Sequence, residues 1–210
     1  MSSDKEINII GKALEWSYGK AVTGFGTLGT AQEFGDEYLR SNKNNRIDAA
    51  NSLIRWQNTK AATNGFITNM GGLVTLPVAI PANMASTLYI QLRMIAGIAH
   101  IGGHDILDDR IKTLCYVCLT GNSATEIIKA TGIEIGKKLT ASTIQKYITG
   151  EMIKTINKTV GFRLATKAGS TGLINVTKMV PLIGGVLGGT VDAVMTNIVG
   201  NTARNAFIHE

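Results

Sequence analysis

Two histidines and both cysteines make the spacing in this chain that looks most like a metal site. His100-x3-His104-x10-Cys115-x2-Cys118 offers two imidazoles and two thiolates, a donor set that suits tetrahedral zinc. The flanking residues weaken that reading. Gly102-Gly103 breaks a helical i, i+4 pairing of the histidines, and the cysteines sit in the apolar run Leu-Cys-Tyr-Val-Cys-Leu rather than in a turn. Cysteines three apart on a helix are also poorly placed to bridge, so buried free thiols in a reducing compartment are expected. Gly24-Phe-Gly26-Thr-Leu-Gly29, with Asp48 downstream, matches a dinucleotide fingerprint. That chemistry needs a strand before the glycines and a helix opening on them, and Tyr18-Gly-Lys-Ala-Val-Thr makes a poor strand. Asp105, Asp108 and Asp109 could face a cation, but capping and exposure account for them. No Ser-His-Asp order, paired carboxylates in a pocket-like context or phosphate loop stands out. No cofactor, metal or catalytic residue is therefore expected.

Arg93 lies in Ile90-Gln-Leu-Arg-Met-Ile95, where burial would demand a partner. Asp192 and Glu126 are the expected carboxylates. A hydrolase or small-ligand site around Arg93, His100 and His104 is the remaining chemical alternative.

Helices must position these groups, because strand alternation is absent. Ser3-x-x-Glu6 reads as a capping box, followed by Ile7, Ile10 and Leu14 on one face. Trp16 to Gly35 is broken by five glycines and reads as loop and short helix. Ile47, Ala50, Ile54 and Ala61 define a helix over about 47–66, and another runs from after Pro81 to Ile101. Asp105-x-x-Asp108 leads into a helix over about 107–119. Ser123-x-x-Glu126 opens one reaching about Leu139, and Ser142-x-x-Gln145 opens one more. The last runs from near Pro181 to Phe207. The expected architecture is all-α: one compact helical bundle over 1–210, with apolar helices at about 82–101 and 181–207 in its centre.

Residues 61–92 carry no charge, yet polar side chains, Pro77 and Pro81 interrupt them, and the helix that follows holds Arg93 and His100. A membrane span needs about 20 predominantly apolar residues, so a buried core pair is favoured over spanning or inserting helices. Gly184-Gly185 and Gly188-Gly189 place small residues along one helix face, where another backbone can approach closely.

Of 210 residues, 17% are charged and 44% hydrophobic, which excludes intrinsic disorder. The chain carries net +6 with 6% aromatics, too modest a basic excess for a nucleic-acid binder. Eight of the 21 basic residues and two of the 15 acidic ones lie between Lys129 and Lys167, which leaves thirteen of each sign elsewhere. Ile144, Ile148, Met152, Ile156 and Val160 drift along one side of a helix, and Lys146, Lys154 and Lys158 centre on the other. Such a face suits an anionic membrane surface. Gly150 allows two short helices in place of one.

Taken together, several blocks resemble the EcsC family: Gly24 to Gly29 followed by Phe34 and Tyr38, Leu76-Pro77 through Pro81-Ala-Asn, and Tyr89-Ile-Gln91-Leu-Arg93-Met-Ile. Asn157-Lys158 through Phe162-Arg163, Thr166-Lys167, and Lys178-Met-Val-Pro181 leading to the paired glycines and Asp192 extend the likeness over about residues 15–208. The family takes its name from a bacterial operon that also encodes an ABC transporter linked to secretion, and it brings no catalytic residues to carry over. The resemblance implies a bacterial helical protein, cytoplasmic or peripheral at the inner membrane. The expected role is non-enzymatic, through lipid or a membrane-protein partner, with homo-oligomers allowed. A soluble scaffold or dimerisation module and a membrane-inserting effector are the alternatives.

Overall fold

The computed structural model describes residues 2–62, 82–130, 140–169 and 185–209. Among them are nine α-helices: α1 (Ser2–Thr23), α2 (Ala31–Ser41), α3 (Arg46–Ala62), α4 (Ala82–Ile101), α5 (Asp109–Leu119), α6 (Ala124–Lys129), α7 (Ala141–Tyr147), α8 (Gly150–Gly169) and α9 (Gly185–Phe207). No strand occurs among the described residues; a lone bridge joins Phe25 and Leu28. The all-α expectation holds.

Local chemistry sets several of the helix ends. Asp108 caps α5 by accepting from the Arg110 amide at 2.7 Å, so the helix expected from about Leu107 starts two residues later, at Asp109. Thr30 and Glu33 form a reciprocal capping box on α2, a signature of the type found elsewhere in the chain but unread at this position. Two expected caps are corrected. Ser123 makes no capping bond and belongs to a 3₁₀ turn, Gly121–Ser123. Thr140, not Ser142, caps α7, accepting from the Thr143 amide at 3.2 Å. The glycine-broken stretch after Trp16 is also more helical than expected. α1 runs on to Thr23 through Gly11 and Gly19, because Ala13, Leu14, Ser17, Tyr18 and Ala21 are all buried and tertiary packing outweighs glycine's low propensity. The Ser3 and Glu6 side chains, the 63–81 and 131–139 stretches, Pro181 and Gly184 lie outside the described residues.

α4 is the centre of the bundle and packs against α1, α2, α3, α5 and α9. Leu92, Met94, Ile95, Ala96, Ile98 and Ala99 are all fully buried, so solvent is excluded all round this part of the helix. α9 packs on α3, α4 and α5 through Val199, Ala203 and Phe207, while Val194, Asn197 and Asn205 face water. Of the paired glycines, Gly185, Gly188 and Gly189 lie in the first turns of α9. α2 meets α4 at very short range: a Cβ on Gly35 would stand 2.9 Å from the Gly97 carbonyl oxygen. Where α4 ends, a Cβ on Gly102 would run into the Phe207 carbonyl, so only glycine fits between the end of α4 and the end of α9.

Candidate functional site

The structure disperses the residues that spacing suggested for a metal. His100 Nε2 lies 2.7 Å from Asp36 Oδ1 on α2. His104 Nε2 meets the Phe207 carbonyl at 3.2 Å, its ring edge-on to Phe207, and burial lowers its pKa. Cys115 and Cys118 are sealed inside α5 as free thiols. The Tyr18 hydroxyl donates to the Ile106 carbonyl at 2.8 Å and stands 3.9 Å from Cys115 Sγ. Burial pushes the Cys118 thiol up to about 12 and the Cys115 thiol well above its ordinary range, which disfavours the thiolate a metal needs. Among the described residues no cluster of three or more His, Cys, Asp or Glu could hold a metal ion.

The Gly24–Gly29 pattern forms a two-residue turn rather than a phosphate cradle. Phe25 and Leu28 exchange both backbone bonds at 3.0 Å. Gly26 at the first central position has φ 60°, and Thr27 keeps a negative φ, the signature of a II′ turn. The carbonyl that leaves this turn, that of Gly29, accepts from Arg93 Nε at 2.9 Å. The Arg93 guanidinium also stacks on Phe34, 4.0 Å from the ring centre. Arg93 is buried, and among the described residues its contacts are a backbone carbonyl and an aromatic ring. Glu126 instead pairs with Arg163 at 2.9 Å, and the Asp192 side chain lies outside the described residues. Burial pulls the Arg93 pKa below its ordinary value, while Tyr89 and the carboxylates of Glu37 and Glu33 act in the opposite sense. Arg93 and His100 thus both tie α4 to α2, one through Phe34 and the Gly29 carbonyl and the other through Asp36, whereas His104 meets the end of α9.

The lysine face has a different construction. Ile148 takes an extended conformation between α7 and α8, which makes two helices of the pattern that Gly150 divides. Thr149 Oγ1 accepts from the Met152 amide at 3.4 Å, and Arg110 Nε donates to the Ile148 carbonyl at 3.1 Å, so the break is tied to α5. The apolar side turns inward: Ile144, Ile148, Ile156 and Val160 are buried and Met152 packs against them, with α8 seated on α1 and α5. Lys146 on α7 and Lys154 and Lys158 on α8 are all exposed. Lys129 is exposed as well; Lys137, Lys138 and the Lys167 side chain lie outside the described residues.

Phe162 was not foreseen on this face. Its side of α8 is open and the residue is 50% exposed, one turn beyond Lys158 and two beyond Lys154. The same spacing could have placed it, since Lys154, Lys158 and Phe162 recur every four residues. Tyr147 is 41% exposed, and Lys146 Nζ stands 5.3 Å from its ring centre. Among the described residues no helix is long and apolar enough to cross a membrane.

The model of the EcsC protein family matches residues 29–208. The match opens at Gly29, so residues 24–28 of the turn precede it, and the likeness starts later than the residue blocks suggested. It spans the capping box of α2, the Arg93 seam and the whole lysine face. No curated protein and no solved structure matches the chain. With most of its length matched by that one family model, the chain belongs to the EcsC protein family.

Proposed function

We propose that this protein acts without catalysis at an anionic membrane surface, docking peripherally through the outer face of α7 and α8. The observation that carries the reading is the exposure of Lys146, Lys154 and Lys158 on two consecutive helices whose isoleucines are buried in the core. The isoleucine side of α8 is buried in the bundle, so the attraction read from the lysines is electrostatic, at about 1 kcal/mol per lysine near an anionic surface. In a bacterial cell the matching surface is the inner face of the inner membrane, beside the transport systems with which the family name is associated. Docking of this kind weakens as salt rises, because the partners are screened within a Debye length.

Co-sedimentation with phosphatidylglycerol-containing vesicles tests it. Wild type is expected to bind at low salt and release as salt rises, and a Lys146→Gln/Lys154→Gln/Lys158→Gln variant to lose most of that binding. Equal binding of variant and wild type, or none by either, would sink the proposal.

A further inference from the structure

Five large apolar residues are notably exposed among the described residues: Trp56, Leu107, Tyr147, Phe162 and Val194. Their electrostatic settings differ. Leu107 is 75% exposed, the most open of the five, but it stands between Asp105 and the Asp108–Asp109 pair, a corner that anionic lipid would repel. Trp56 and Val194 belong to α3 and α9, away from the basic stretch. Phe162 sits one helical turn from exposed Lys158 on a long helix, with exposed Lys154 a further turn back. Its other charged neighbour, Arg163, is paired with Glu126 at 2.9 Å, which holds that acidic group in place beside the strip.

We propose that Phe162 is the residue of α8 that enters the bilayer, its ring passing below the phosphate level while Lys154 and Lys158 stay among the headgroups. The inference rests on the membrane reading above and adds a mode to it. α8 lies flat on the surface, and docking uses two signals, charge and one buried ring, instead of charge alone. The strip from Lys154 to Phe162 is about 12 Å long, so the lysines and the ring reach the same plane only if the helix axis runs parallel to it. An aromatic ring flanked by lysines whose stems can lie along apolar surface fits this interfacial zone. Tyr147, beside Lys146 at the α7–α8 break, would rest at the headgroup level, where an aromatic ring with a polar tip is at home.

The sealed native thiols make the test clean. A Phe162→Cys variant can be labelled at that position alone with an environment-sensitive fluorophore, because Cys115 and Cys118 are fully buried. On phosphatidylglycerol vesicles its emission is expected to shift to the blue, while the same label on a Leu107→Cys variant stays water-like. Without any label, Phe162→Ala is expected to lower vesicle partitioning about tenfold, and Phe162→Trp to retain it. Lysine-dependent binding with an unchanged Phe162→Ala partition and a water-like label at 162 would overturn the insertion and leave peripheral docking intact. A blue shift at 107 but not at 162 would overturn it too, by placing another face on the membrane. Failure of wild type to bind would remove both readings.

Discussion

The α2–α4 seam and the outer face of α8 each set cations beside an aromatic ring, and they use them in opposite ways. At the seam, Arg93 lies over Phe34 and gives its Nε hydrogen to the Gly29 carbonyl, so one buried side chain fastens the Gly24–Gly29 turn to the central helix. On α8, Lys154 and Lys158 stand in water next to Phe162, and the described protein atoms give them no ion pair. The first arrangement stabilises the fold and is closed to a partner. The second adds little to the fold and leaves its charge available. Burial, rather than residue type, separates structural from interacting cations here.

The comparison can be broken by mutation. Arg93→Ala removes the stack and leaves the Gly29 carbonyl without its donor, so a loss of about 3 kcal/mol is expected in urea unfolding. A loss under about 0.5 kcal/mol, the level of an ordinary surface site, would show that the seam does not depend on it. Gly35→Ala forces a methyl against the Gly97 carbonyl and should cost about 2 kcal/mol by pushing α2 from α4; the same assay reads it. Acid sharpens the contrast through His104. Burial holds its pKa below the ordinary 6.5, so the unfolded chain takes the proton first, and stability should fall as pH drops below that value. His104→Gln is expected to flatten this part of the stability–pH curve, and an unchanged curve would assign the acid sensitivity elsewhere. The smallest effect belongs to the lysine face: removal of all three lysine charges should alter unfolding by less than about 0.5 kcal/mol while vesicle binding is lost. A large drop in stability would mean that the face is structural after all.

Much of the bundle was readable before any coordinate. Pro81 and Gly102-Gly103 bracket α4 at 82–101, and Asp108 marks the start of α5. The inward row Ile144, Ile148, Ile156 and Val160 is buried as its periodicity requires. Ser123 and Ser142 have the right spacing for caps, but a hydroxyl caps only where its own residue's backbone is extended, and Ser123 sits in a helical conformation while Thr140 holds the extended one. Glycine propensity makes Trp16 to Thr23 read as irregular, whereas the packing that buries Tyr18 and Ala21 keeps the segment helical. A buried charge needs compensation, so the sequence points Arg93 to a carboxylate; the turn carbonyl and the ring that it meets among the described residues depend on which helix approaches.

Periodicity and charge placement alone determined that this protein is helical, that its positive excess is confined to one stretch, and that within α8 Ile156 and Val160 are buried while Lys154 and Lys158 are exposed. Those properties follow from 3.6 residues per turn and from the cost of wetting apolar surface, both of which act within a single segment. Tertiary structure decided which segments cover one another. It separated His100 and His104 into different seams, closed Arg93 over Phe34, and left the ring of Phe162 uncovered beside the lysines. The physical reason is that one helix's pattern states which side must be buried, whereas the partner that buries it is fixed by the packing of all the helices at once.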